Sequence, residues 1–153
     1  MNLIKGVATR QLSRIVDERG YLTELLRSDW DLFDRFGQVY LTTARPGVVK
    51  AWHMHKKQTD YFVCIQGMVK LVLYDGRKNS STHGMINEFF TGEEQLLLVK
   101  IPPQVMHGFK AIGTSMAVML NCPTEVYDYE SPDEFRLPYD TPEIPYDWAM
   151  KMG

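Results

Sequence analysis

The sequence predicts a mainly β protein, an antiparallel sandwich or closed barrel, on three observations. Short runs rich in aromatic and β-branched residues recur along the chain, turn-forming residues separate them, and the regular intervening helices of a doubly wound sheet are missing. At 153 residues the chain suffices for one substantial core and is short for two, so a single domain over 1–153 is expected.

In chain order, residues 28–33 (SDWDLF) predict a brief helical or capping segment, cut short by Gly37. VYLTTAR at 39–45 reads as a strand. GVVKAWHMH, from residue 47, continues the pattern, with His53 and His55 on one face and Trp52 and Met54 on the other. YFVCIQGMVKLVLY at 61–74 is too long for one typical strand, and Gly67 marks a bend that divides it. In its second half Leu71 and Leu73 share one face, Val72 and Tyr74 the other. DGRKN at 75–79 is a turn before a further hairpin, QLLLVKIP at 95–102 is a strand stopped by Pro102, and SMAVMLN at 115–121 is another. PPQVMHGF reads as a turn able to return His107 toward the other histidines. The ending, SPDEFRLPYDTPEIPYDW, carries four prolines among aromatic and charged residues. It is expected to be an ordered extension, because burying Phe135, Tyr139, Tyr146 and Trp148 would offset the entropy lost on ordering it.

Composition narrows the function classes. With 44% hydrophobic and 24% charged residues the chain resembles a soluble globular protein. No apolar run approaches the roughly 20 residues that cross a bilayer, and the N-terminus lacks a secretory pattern, so no membrane partner and a cytoplasmic location are expected. A formal charge of −2 gives no reason to expect nucleic-acid binding. Cys64 and Cys122 form no CxxC or zinc pattern and read as free thiols in apolar surroundings.

Two histidines on one strand face make a better constellation than either alone, and Asp60 and His107 can join them. The spacing of Gly47, His53, His55, Asp60 and Gly67 resembles the first metal motif of the cupins, G-x5-H-x-H-x4-E-x6-G, with Asp60 in place of Glu. His107 resembles the third cupin histidine. This resemblance implies a double-stranded β-helix or jelly-roll barrel, and offers His53, His55, Asp60 and His107 as a cluster for a divalent metal.

A longer resemblance runs through DERGYLTELL at 17–26, VVKAWHMH, the strand-rich QTDYFVCIQGMVKLVLYDGRKNS, EEQLLLVKIPPQVMHGF and the aromatic ending. In this order the segments are similar to the nucleotide-sugar 3,5-epimerase family. That resemblance implies an isomerase that abstracts a proton beside the ketone of a 4-keto-6-deoxy nucleotide sugar in carbohydrate biosynthesis, at one carbon or two, with no required cofactor. It makes His53 the proton-abstracting base and His107 a substrate-pocket residue. Arg19 and Lys50 become phosphate contacts and Glu24 an organiser of the pocket. His55, Tyr61 and Tyr127 are candidate proton donors; Tyr40, Asp60 and Tyr129 are candidate substrate contacts. The sequence departs from that family at three points. Asp60 stands where a catalytic lysine is usual, Leu120 aligns with the usual acid tyrosine, and the chain ends before the aspartate that supports the histidine. HMHK, Val39-Tyr40 and VCIQG are also similar to nucleotide-sugar 3,4-ketoisomerases, a second reading beside a metal-dependent cupin enzyme and a noncatalytic nucleotide-sugar-binding protein. Edge pairing makes a homodimer the expected assembly.

Overall fold

The computed structural model describes residues 2–152 and builds them into twelve strands. They are β1 (Ala8–Gln11), β2 (Ile15–Asp17), β3 (Gly20–Leu22), β4 (Tyr40–Ala44), β5 (Val49–Met54), β6 (Asp60–Gln66), β7 (Met68–Tyr74), β8 (Ile86–Gly92), β9 (Leu97–Ile101), β10 (Met106–Ala111), β11 (Ala117–Asn121) and β12 (Phe135–Arg136). One five-stranded sheet has the order β1-β9-β6-β11-β4 and the other β12-β5-β10-β7-β8, while β2 and β3 form a separate hairpin. Every pairing is antiparallel. The antiparallel sandwich expected from the patterning, of the jelly-roll kind that the cupin resemblance implies, is therefore the observed fold.

Side-chain alternation fixes where the core lies. Phe62 and Cys64 of β6, Val99 of β9, and Ala117 and Met119 of β11 meet Val69, Leu71 and Leu73 of β7 and Phe109 of β10 in one cluster between the sheets. Each fully buried Leu or Val of this kind contributes about 1.5–3 kcal/mol relative to exposure. Gly67 is the hinge by which the chain passes from one sheet to the other. It has φ 69°, and an added Cβ would stand 2.9 Å from the Met116 carbonyl oxygen.

On the outer face, Trp52 of β5 packs with Val72, Met106, Ile144 and Trp148. The C-terminal segment thus covers the second sheet. Trp52 donates its N–H to the Leu137 carbonyl at 2.9 Å, and its own carbonyl accepts from Leu137 N–H at 3.1 Å. Trp148 lies 5.0 Å from Trp52, ring centre to ring centre. Phe135 and Tyr139, expected to bury themselves with it, remain exposed.

One local expectation is corrected. Residues 28–33 form successive turns, Trp30 N–H to the Arg27 carbonyl and Phe33 N–H to the Trp30 carbonyl, without a helix. The turn expected within PPQVMHGF is present at residues 103–104, and it returns the chain so that His107, on strand β10, pairs with His53. Gly108, which weakens a strand pattern when read alone, is there because β5 passes close by. A Cβ at residue 108 would stand 2.2 Å from the Ala51 Cβ.

Candidate active site

A cavity of about 950 Å³ opens on the inner ends of β5 and β10, between β4 and the segment that leads into β12. His53, His55, His107, Tyr40, Lys50, Tyr127, Tyr129 and Glu134 are among the residues that line it. His53 and His107 are direct cross-strand partners, next to a register shift between His107 and Phe109. That pairing sets their rings 6.2 Å apart.

His53 is held by a residue that the sequence did not reveal. Its Nδ1 stands 3.2 Å from the Glu134 Oε1, which also accepts from Arg136 Nη2 at 2.8 Å. Burial pushes the imidazole pKa down, and the Glu134 carboxylate partly opposes that shift. The result is a neutral histidine with Nδ1–H on a carboxylate and Nε2 free to accept a proton. Glu134 stands where it can support His53, the part for which the sequence offers no aspartate. It reaches His53 because β12 pairs with the end of β5, Arg136 opposite His53 and Phe135 opposite Met54.

His55 follows β5 and is oriented from behind, with Nδ1 bonded to the Asp133 carbonyl. The Asp133 carboxylate in turn accepts the backbone N–H groups of Lys56 and Lys57 at 2.8 Å. His107 has the same arrangement, its Nδ1 standing 3.1 Å from the Val105 carbonyl. Burial pushes its pKa down to about 4. Asp60 is 1% exposed, and its Oδ1 accepts from Gln58 Nε2 and Asn121 Nδ2, both at 2.7 Å. Its Oδ2 lies 3.5 Å from the Nε2 of both His55 and His107. Among the described residues, the four-member metal cluster that the cupin resemblance offers as an alternative reduces to His55, Asp60 and His107. His53 turns to Glu134 instead.

Tyr40, on the edge strand β4, pairs directly with Asn121 of β11, and its hydroxyl accepts from Asn121 Nδ2 at 3.0 Å. Burial pushes the phenol up to about 12. Asn121, not Leu120, belongs to this site. Along β11 buried residues alternate with partly exposed ones, so Leu120 shares neither the face nor the contacts of Asn121. Lys50 bonds Thr42 Oγ1 at 3.0 Å. Tyr127 and Tyr129 stand edge to face at the cavity rim, 5.0 Å apart.

Three candidates lie elsewhere. Arg19 sits at the β2–β3 turn with 85% of its side chain exposed, paired with Asp17. Glu24 pairs with Arg27. Tyr61 is buried on another face, its hydroxyl donating to the Leu32 carbonyl at 3.1 Å and accepting from Asp34 N–H at 2.7 Å. It is a packing residue, not a proton donor. Both cysteines are free, and burial raises the pKa of each thiol.

Comparison with known proteins places this geometry. Residues 2–153 match the family described as dTDP-4-dehydrorhamnose 3,5-epimerase. The chain is 45% identical over 151 residues to the probable low-salt glycan biosynthesis epimerase Agl13 of Haloferax volcanii, covering 97% of each. Among solved structures it is similar to a dTDP sugar isomerase from Desulfovibrio desulfuricans G20. The TM-score is 0.89 at 35% identity, over 95% of this chain and 92% of that one. It is also similar to the dTDP-6-deoxy-D-glucose-3,5-epimerase of Legionella pneumophila solved with dTDP-4-keto-L-rhamnose. There the TM-score is 0.85 at 26% identity, over 98% of this chain and 82% of that one.

Proposed function

The chain belongs to the dTDP-4-dehydrorhamnose 3,5-epimerase family, and from that premise we propose that it inverts a carbon beside the ketone of a 4-keto-6-deoxy nucleotide sugar, with His53 as the base. The observation that carries this reading is the His53–Glu134 pair at the cavity wall. A carbon-bound proton next to a ketone is acidic enough for a neutral imidazole, because the electron pair left behind delocalises onto the ketone oxygen. Glu134 keeps Nδ1 protonated and stabilises the imidazolium that forms at Nε2.

Inversion needs a second proton from the opposite face. Tyr40 is the better-supported donor: Asn121 fixes its hydroxyl, and burial keeps it protonated. Tyr127 and Tyr129 form an aromatic edge at the rim suited to the sugar or base of the nucleotide, and Lys50 supplies a positive charge for its phosphates. His55 and His107 line the cavity, with Asp60 buried against both. One domain carries all these groups, and we place it in the cytoplasm as a homodimer, acting without a required cofactor.

The reaction is tested by following solvent deuterium into C3 and C5 of a 4-keto-6-deoxy nucleotide sugar by NMR. His53→Ala should slow incorporation by about 10²–10⁴-fold while the protein still folds and binds the nucleotide. Tyr40→Phe should retain incorporation and lose inversion. Unchanged exchange in His53→Ala would remove it as the base, and appearance of a 3-ketone would replace epimerisation with ketone migration.

A further inference from the structure

We propose that His55, Asp60 and His107 form a three-ligand site for a divalent transition-metal ion, Zn(II) in type, with its remaining coordination position facing the cavity. Three features of the cluster point there. The first is tautomer assignment. The Nδ1 atoms of both histidines face backbone carbonyls, at Asp133 and Val105, and a carbonyl can only accept. Both Nδ1 atoms therefore carry hydrogen, which leaves Nε2 of each ring as the atom able to offer a lone pair, and both Nε2 atoms face Asp60.

The second feature is what those lone pairs meet. Asp60 Oδ1 is satisfied by Gln58 and Asn121, while among the described residues Oδ2 has only the two Nε2 atoms beside it. Three electron-pair donors converge at a site where Asp60 is 1% exposed. Without a cation between them they repel in surroundings that screen charge poorly.

The third is distance. A hydrogen-bonded histidinium–carboxylate pair closes to about 2.7–2.9 Å. Here both contacts are 3.5 Å, and one proton cannot serve two Nε2 atoms at once. Ligands held at about 2.1 Å on a tetrahedral ion stand about 3.4 Å apart, close to the observed spacing. All three donor atoms lie within 4.8 Å of one another. The carbonyls behind the histidines and the amides behind Asp60 are the outer contacts that orient metal ligands. Two imidazoles and one carboxylate suit Zn(II), and also Fe(II) or Mn(II).

A cation here would restore the positive charge that Asp60 removes from the floor of the cavity. The binding site does not rest on the epimerase reading, which requires no cofactor. Chelator-treated protein titrated with Co(II) should develop the visible absorption of a low-symmetry, tetrahedral-like ion at one equivalent. Zn(II) should displace it and raise the melting temperature. Asp60→Asn and His55→Gln, each checked for native circular dichroism, should weaken Co(II) binding by at least about a hundredfold, given that losing outer contacts alone costs about 10–100-fold. Absence of a saturable Co(II) spectrum, or an undiminished one in both variants, would overturn the site. Deuterium exchange in protein that binds no Co(II) would sink the metal site alone. A Co(II) site without exchange would leave the metal and sink the epimerase.

Discussion

Burial and Glu134 together set the protonation of His53. Two opposing influences act on that ring: burial lowers its pKa, and the carboxylate raises it. Arg136, bonded to the same carboxylate, and His55 push in the direction of burial. Glu134→Gln removes the one strong raising influence and leaves Arg136 unneutralised, so the pKa of His53 must fall further. The base form then persists to lower pH. The acid limb of kcat/KM is expected to move downward in pH, while the plateau drops by at least about tenfold because the imidazolium loses its stabilising partner. A pH–rate profile checks both parts. An acid limb displaced upward, or a plateau at the native level, would mean that Glu134 does not act through His53. Asp60 shows the opposite use of a carboxylate at the same scale. It is buried, doubly hydrogen-bonded through Oδ1, and aimed at two histidines instead of one.

At the level of the strand, the site depends on how closely β5 and β10 approach. Gly108 permits that approach, since a Cβ there would stand 2.2 Å from Ala51 Cβ and 2.7 Å from its Cα. Gly108→Ala should therefore destabilise the fold by about 1–3 kcal/mol, the usual cost of overpacking, read as a lower urea midpoint at unchanged slope. Ala51→Gly in the same chain should recover only part of it, because the Lys50 carbonyl also stands 2.9 Å away. An unaltered midpoint would show that the strands separate freely, and the His53–His107 pairing would lose its structural basis. This strand also shows what sequence can and cannot reveal. β6, β7, β9 and β11 are legible because apolar runs bounded by turn residues or proline announce them, and Gly67 announces the bend. β10 hides because Gly108 and the preceding prolines resemble a turn until the neighbouring strand is known. The three histidines of the cavity are legible from spacing; Glu134 is not, since its contact spans 81 residues and exists only through the two-residue β12. Asn121 carries no sequence signal of its own: the resemblance points to Leu120 as the place of the usual acid tyrosine, and in a strand the next position is the other face.

For the molecule as a whole, the β2–β3 hairpin has no place in either large sheet. Ile15 faces Leu22 across it and Val16 faces Tyr21, so successive pairs put apolar side chains on both of its faces. Their exposures of 67%, 58%, 70% and 57% are those of residues in search of a surface. A two-stranded hairpin is marginal in water by itself, and a standard interface removes about 800 Å² from each partner. A second copy of the chain would supply the missing surface. The edge strand β4 adds another apolar group, Leu41, exposed at 58%. Arg19 lies at the tip of this hairpin, apart from the cavity of its own chain, so any contact it makes with substrate phosphate has to come through such an assembly. Light scattering behind size-exclusion chromatography should therefore give twice the chain mass at micromolar concentration. Replacing Val16 and Leu22 together with lysine adds like charge to both faces of the hairpin and should return the chain mass, with the strand signal in circular dichroism retained because neither residue belongs to the core. Arg19→Ala, by contrast, should leave the mass unchanged and raise KM for the nucleotide sugar. A native protein that runs at the chain mass even at high concentration would sink the homodimer and, with it, any part for Arg19 in the site.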